Sequence, residues 1–95
     1  MGPVGTEIEA KLRASLAPEY LHLVDQSAQH EGHAGARAEG ETHFLVEIVA
    51  SSFEGRRPLE RHRLVNDALS ALLRTRVHAL SIRALTPAEW AARAR

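Results

Sequence analysis

An α+β fold in two layers, ordered α-β-β-α-β-α, is what the sequence predicts, and three observations predict it. Two stretches carry apolar residues at helical spacing along one stripe: Ile8, Leu12 and Leu16 in the first, and Leu59 through Leu73 in the second. Two others, Thr42 to Ser51 and Val77 to Arg83, alternate apolar and polar side chains as half-buried strands do. Finally, 95 residues with 44% hydrophobic side chains suffice for one core and not for two, so a single domain is expected over 1–95, with its core in 6–92. Helices with one apolar stripe must cover a sheet face, which predicts a three-stranded sheet with helices on one side.

Each element has its own local signal. Thr6 followed by Glu9 reads as a capping box, so the first helix is expected to start there and to run until Pro18 closes the pattern. Tyr20 to Val24 is a short apolar run ended by Asp25-Gln26-Ser27, and its length favours a strand. From Asp25 to Gly40 the composition turns to His, Gly, Ala, Gln and Glu with neither period, which predicts a long loop. Loops of that length in a small domain more often serve a function than merely connect.

In the second strand Phe44, Val46 and Ile48 face the core and Glu47 opposes them. Ser51 to Arg57 is turn-rich, and Pro58 suits the first turn of the next helix. That helix gathers Leu59, Val65, Ala68, Leu69, Leu72 and Leu73 on one face, against Arg63, Asp67, Ser70 and Arg74. After the third strand, Thr86-Pro87-Ala88-Glu89 combines an N-cap, a proline at the first helical position and a reciprocal Glu, so a short last helix carrying Trp90 is expected.

Composition excludes more than it proposes. Twelve basic and twelve acidic side chains cancel, which removes the global electrostatic argument for nucleic acid or an anionic membrane. With no cysteine, disulfides, thiol nucleophiles and thiolate ligands are excluded together. Neither a membrane-spanning run nor the regions of a signal peptide are visible, so a soluble cytoplasmic protein is expected. There is no Gly-rich phosphate loop and no carboxylate pair in an apolar pocket, so an enzyme is not expected.

Five segments stand in a recognisable order: ETHF at 41–44, FEG at 53–55, RHRLVN at 61–66, VHALSI at 77–82 and TPAEW at 86–90. Together they resemble the BolA family across nearly the whole chain from the first helix onward. The resemblance implies a type II KH-like fold with a three-stranded mixed sheet. It implies a non-enzymatic adaptor that forms a heterodimer with a monothiol glutaredoxin and shares a 2Fe-2S cluster with it, in cluster maturation or iron-homeostasis regulation. The glutaredoxin side would supply its cysteine and a glutathione thiol, and this chain histidine. The family's ligand in the VHAL segment is His78 here. The second comes from the loop between the first two strands, where His30 and His33 both qualify, with His43 of the ETHF segment in reserve.

Imidazole nitrogen replaces thiolate on one iron of some 2Fe-2S centres, so a cysteine-free partner is chemically workable. Read from the residues alone, His78 falls on the side of Leu80 and Ile82, as a core histidine would. His30 and His33 form an H-x-x-H in a polar loop, and His43 faces away from Phe44 as a surface or edge residue. His22 carries no motif. A local basic edge of Arg56, Arg57 and Arg63, with Arg61 and His62 beside it, supports a second reading in which the KH-like fold binds DNA weakly as a transcriptional regulator. Arg61 and His62 lie nearer the apolar side of their helix, where backbone carbonyls are alternative acceptors. Few aromatics, of which Phe44 and Trp90 are expected in the core, and no G-x-x-G weaken that reading. A homodimer is the remaining association open to the chain.

Overall fold

The computed structural model describes residues 2–26 and 42–93. The elements are α1 (Pro3–Leu16), β1 (Tyr20–Asp25), β2 (His43–Val49), a 3-10 turn at Ser51–Phe53, α2 (Pro58–Ala68), α3 (Ser70–Thr75), β3 (Ala79–Leu85) and α4 (Pro87–Arg93). The sheet order is β1-β2-β3, with β1 antiparallel and β3 parallel to β2. A parallel neighbour requires a crossover, which α2 and α3 provide. This is the expected α+β domain with a mixed three-stranded sheet. Of the expected loop, residues 27–40, including His30 and His33, lie outside the described residues.

Register decides which side chains meet. Leu21 and Leu23 lie opposite Ile48 and Val46, while Leu80, Ile82 and Ala84 lie opposite Phe44, Val46 and Ile48. All of these pack with Val4, Ile8, Leu12 and Leu16 of α1, with Val65 of α2 and Leu72 of α3, and with Leu69 between those two helices, in one core. Phe53, fully buried, is anchored there by the 3-10 turn. Burial of each such side chain contributes about 1.5–3 kcal/mol.

Three helices cover that face, and α4 lies against the other. Trp90 stacks on Tyr20, with ring centroids 4.5 Å apart, and Arg93 reaches Glu47 at 3.2 Å. Tyr20 and Glu47 alternate with the core-facing Leu21 and Ile48, so they belong to the opposite face. Val49 is fully buried yet stands outside the main cluster, as expected for a residue on the α4 side.

Several local expectations are corrected. α1 begins at Pro3, which suits a first helical position, and the Thr6 hydroxyl donates back to the Gly2 carbonyl at 3.0 Å instead of capping. The single helix expected from Leu59 to Leu73 is interrupted at Leu69, whose φ of −107° and ψ of 13° are not helical. Leu59 is 61% exposed. At 100° per residue it stands about 120° round the helix from Val65, off the buried stripe. Trp90, expected in the core, is half-buried on the far face.

One polar cluster fastens α4. The Thr86 hydroxyl accepts from the Glu89 N–H at 3.1 Å, and the Glu89 carboxylate accepts from the Thr86 N–H at 2.8 Å, completing the expected capping box. Arg61 of α2 donates to Glu89 at 2.6 Å, to the Ala84 carbonyl at 3.1 Å and, through Nε, to the Arg56 carbonyl at 2.9 Å. Its guanidinium therefore ties together the start of α2, the end of β3 and α4. The Arg61 hydrogen bond, then the Thr86 N–H, hold the Glu89 carboxyl at about 2 against an ordinary 4.5, with desolvation opposing them.

A depressed carboxyl stabilises the fold fully above its unfolded pKa, and that contribution fades as pH falls towards its folded pKa. Glu89 is 46% exposed, so water screens the effect to about 1 kcal/mol. Urea unfolding of Glu89→Gln is therefore expected to show lower stability at neutral pH, with the gap to wild type closing between about pH 5 and pH 2. Thr86→Ala should cost about 1 kcal/mol in the same measurement, from loss of the cap.

Candidate metal-ligand site

The parallel pairing of β2 and β3 builds the site. The Thr42 carbonyl, just before β2, accepts from the His78 N–H at 2.8 Å and from the Ala79 N–H at 3.1 Å. His43 then pairs with Ala79 in register. Residues distant in sequence are thus brought together at one end of the sheet, and the His43 and His78 rings stand 5.2 Å apart, centroid to centroid, tilted by 49°.

The two imidazoles differ in environment. His78 is exposed and precedes β3, so it does not take the core position beside Leu80 and Ile82 that alternation alone allowed. His43 is buried, at 6% exposure, where a surface or edge position was expected. Alternation does turn it away from Phe44, but it packs against the His78 ring and its Nδ1 lies 2.9 Å from the Thr42 hydroxyl, itself fully buried. A hydrogen bond to one ring nitrogen fixes the orientation of the other, as second-shell bonds do for metal-ligating histidines.

His78 also lines a shallow polar depression with Leu73, Arg74, Thr75, Arg76 and Val77 at the end of α3. Among the described residues no group of three or more His, Asp or Glu side chains converges, and the chain has no cysteine. The described part of the site therefore contributes a donor set of imidazoles only. That donor set fits an iron held from its other side by a second protein, because such an iron needs only one or two ligands from this chain. His30 and His33 lie outside the described residues. His22 is exposed on the sheet face that α4 partly covers, opposite Glu47 in the register.

The basic residues divide. Arg56, Arg57 and Arg63 are exposed around the start of α2, with Arg56 Nε on the Ser52 carbonyl at 3.0 Å. The Arg57 N–H is capped by the Glu60 carboxylate at 2.8 Å. His62 is half-buried. Arg61, with only 11% of its side chain exposed, is engaged by α4 and β3 and faces inward. Sequence reasoning left its acceptors open; the Glu89 partner was missed because capping signals show only a helix's own contacts.

Comparison with known proteins agrees with this architecture. The family described as BolA-like protein matches residues 12–89. BolA-like protein 1 of Mus musculus is 53% identical over 89 residues, which are 94% of this chain and 62% of that protein. This chain thus spans about three fifths of the length of the curated relatives it matches first. The DNA-binding transcriptional regulator BolA of Escherichia coli (strain K12) is 43% identical over 83 residues, 87% of this chain and 75% of that one. Among solved structures, the BolA domain of SufE1 from Arabidopsis thaliana superposes with a TM-score of 0.85 at 45% identity, covering 94% of this chain and 98% of that one. With its fold, its motif order and its matched span in agreement, the chain belongs to the BolA-like protein family.

Proposed function

We propose that the chain is a cytoplasmic, non-enzymatic adaptor that shares a 2Fe-2S cluster with a monothiol glutaredoxin. The observation that carries this reading is the placement of His78: exposed, pinned by its own backbone to Thr42, and beside a second imidazole. His78 is the proposed ligand. The second ligand is His30 or His33, with His43 in reserve. The glutaredoxin cysteine and a glutathione thiol complete the set, and the bound cluster supplies iron and sulfide for maturation of other proteins or for sensing iron. A compartment that keeps glutathione reduced suits such a partner.

This chain's own contribution is to present nitrogen donors rigidly. The Thr42 carbonyl and hydroxyl fix the backbone at His78 and the ring of His43. Neutral donors in place of thiolates raise a cluster's reduction potential, which makes it easier to reduce than an all-thiolate one.

A second reading has specific support: one relative is named a DNA-binding transcriptional regulator, and Arg56, Arg57 and Arg63 lie exposed on one turn and helix start. In that reading three phosphate contacts give weak binding with steep salt dependence.

For the first reading, the cluster is reconstituted anaerobically with a monothiol glutaredoxin and glutathione, and followed by visible absorption and circular dichroism. His78→Ala is expected to abolish most of the heterodimer's visible dichroism; an unchanged spectrum removes His78 as a ligand. Comparing His30→Ala, His33→Ala and His43→Ala in the same assay identifies the second. For the alternative, fluorescence titration of labelled oligonucleotides is expected to give a log–log salt slope of about −2.7, abolished by neutralising Arg56, Arg57 and Arg63 together. A salt-independent affinity, or one indifferent to those arginines, ends it.

A further inference from the structure

The geometry points to a docking edge: the outer side of β3 takes up an extended segment of a partner protein, alternating apolar side chains with a carboxylate, as a further strand of the sheet. The register fixes which backbone groups are offered. The Ala79 N–H donates to the Thr42 carbonyl and the Leu85 carbonyl accepts from the Ala50 N–H, so the odd-numbered residues of β3 face β2. Leu80, Ile82 and Ala84 alternate with them and turn their N–H and C=O outwards. The Ala84 carbonyl shows the direction, because Arg61 of α2 donates to it at 3.1 Å. Among the described residues no other partner meets these outward groups. Nor is the edge guarded: Ala79–Leu85 holds no proline, no lysine and no bulge in its register.

The seam between α2 and this edge sets the chemistry of the segment. Arg61, Leu64 and Ala68 follow one another at helical spacing along the side of α2 that reaches β3. Leu64, Ala68, Leu80, Ile82 and Ala84 pack against the core yet are only partly buried, so the core comes to the surface here. Arg61 is taken by Glu89 and two backbone carbonyls. Among the described residues the seam therefore has no spare cation for a phosphate and no ring on which a base would stack. A peptide strand suits it: apolar side chains at alternate positions cover Leu80 and Ile82, and its main chain pairs with theirs.

Charge on the other face completes the description. Ser81 and Arg83 are exposed there. Arg83 and Arg93 both lie on Glu47, at 3.5 and 3.2 Å, so two cations share one carboxylate and a second carboxylate is attracted. A second copy of β3 would bring another arginine instead. β1, the sheet's other edge, carries Asp25 and no arginine, so it lacks that attraction. Docking on β3 does not use His78, and it stands or falls apart from cluster sharing.

The test is titration of the nitrogen-15-labelled full chain with the capped peptide acetyl-Thr-Val-Glu-Val-Thr-Val-amide, followed by amide chemical shifts and hydrogen exchange. The amides of Leu80, Ile82 and Ala84 are expected to move and to gain protection, while those of Leu21 and Leu23 in β1 stay. N-methylating the valines in one peptide, and the remaining residues in another, removes the donors of one peptide edge at a time. One of the two should bind about tenfold more weakly and the other as the parent does. Arg83→Ser should weaken binding by about two- to fivefold. Unmoved amides in β3, equal affinities of the two methylated peptides, or an unchanged affinity in Arg83→Ser overturns the inference. So does movement of the same amides on concentrating the protein alone, which assigns the edge to a second copy, or with oligothymidylate in place of the peptide, which assigns it to nucleic acid.

Discussion

The candidate site depends on the parallel pairing of β2 with β3, and in particular on one carbonyl. Thr42 accepts two backbone hydrogen bonds, from His78 and Ala79, at the point where the pairing begins. From there the register places His43 beside the start of β3 and, further along, matches Phe44 with Leu80 and Val46 with Ile82. A slip of one residue would turn every core side chain of β3 towards solvent, so burial of Leu80, Ile82 and Ala84 defends the register. The same packing that stabilises the domain therefore holds the two imidazoles together. No local feature of either histidine does so.

Electrostatics serve the fold more than the surface. The chain is neutral overall, and Arg61, with only 11% of its side chain exposed, donates to acceptors in the turn before α2, in β3 and in α4. Glu47, on the opposite sheet face, is met by Arg83 at 3.5 Å and Arg93 at 3.2 Å. Arg93 also lies 4.2 Å over the Trp90 ring, so α4 is held by stacking, a cation–π contact and ion pairs. A short helix with no fully buried residue needs such contacts, because area burial alone is small. The exposed arginines left around α2 are correspondingly few.

What was legible in the sequence was what short-range physics fixes. Ile8, Leu12 and Leu16 at four-residue spacing, and Phe44, Val46 and Ile48 at alternate positions, are all buried, because a helix stripe or strand face repeats with the backbone. Pro58 and Pro87 marked helix starts for the same local reason. Thr6 misled because its hydroxyl can donate to a preceding carbonyl as well as accept from a following N–H, and Pro3 offered an earlier start. The break at Leu69 was invisible, since both halves keep their apolar residues on one side. Trp90 was misplaced because its partner, Tyr20, lies in another element, and a large aromatic serves either face of a sheet equally well.

The candidate site was legible only in its residue types, and the reason bears on how it works. Alternation gave His43 an outward direction, and outward ordinarily means wet; it is buried because the adjoining strand begins there and lays His78 beside it. His78 is the reverse case, apolar by pattern and exposed in fact, because regular pairing starts only at Ala79. The outcome is one ring fixed in the protein and one presented to solvent, joined through Thr42. In the proposed function that asymmetry serves a chain without cysteine: the exposed ring would make the contact with the metal, and the buried one limits where it can stand. Two exposed rings would lose orientation, and two buried rings would lose access.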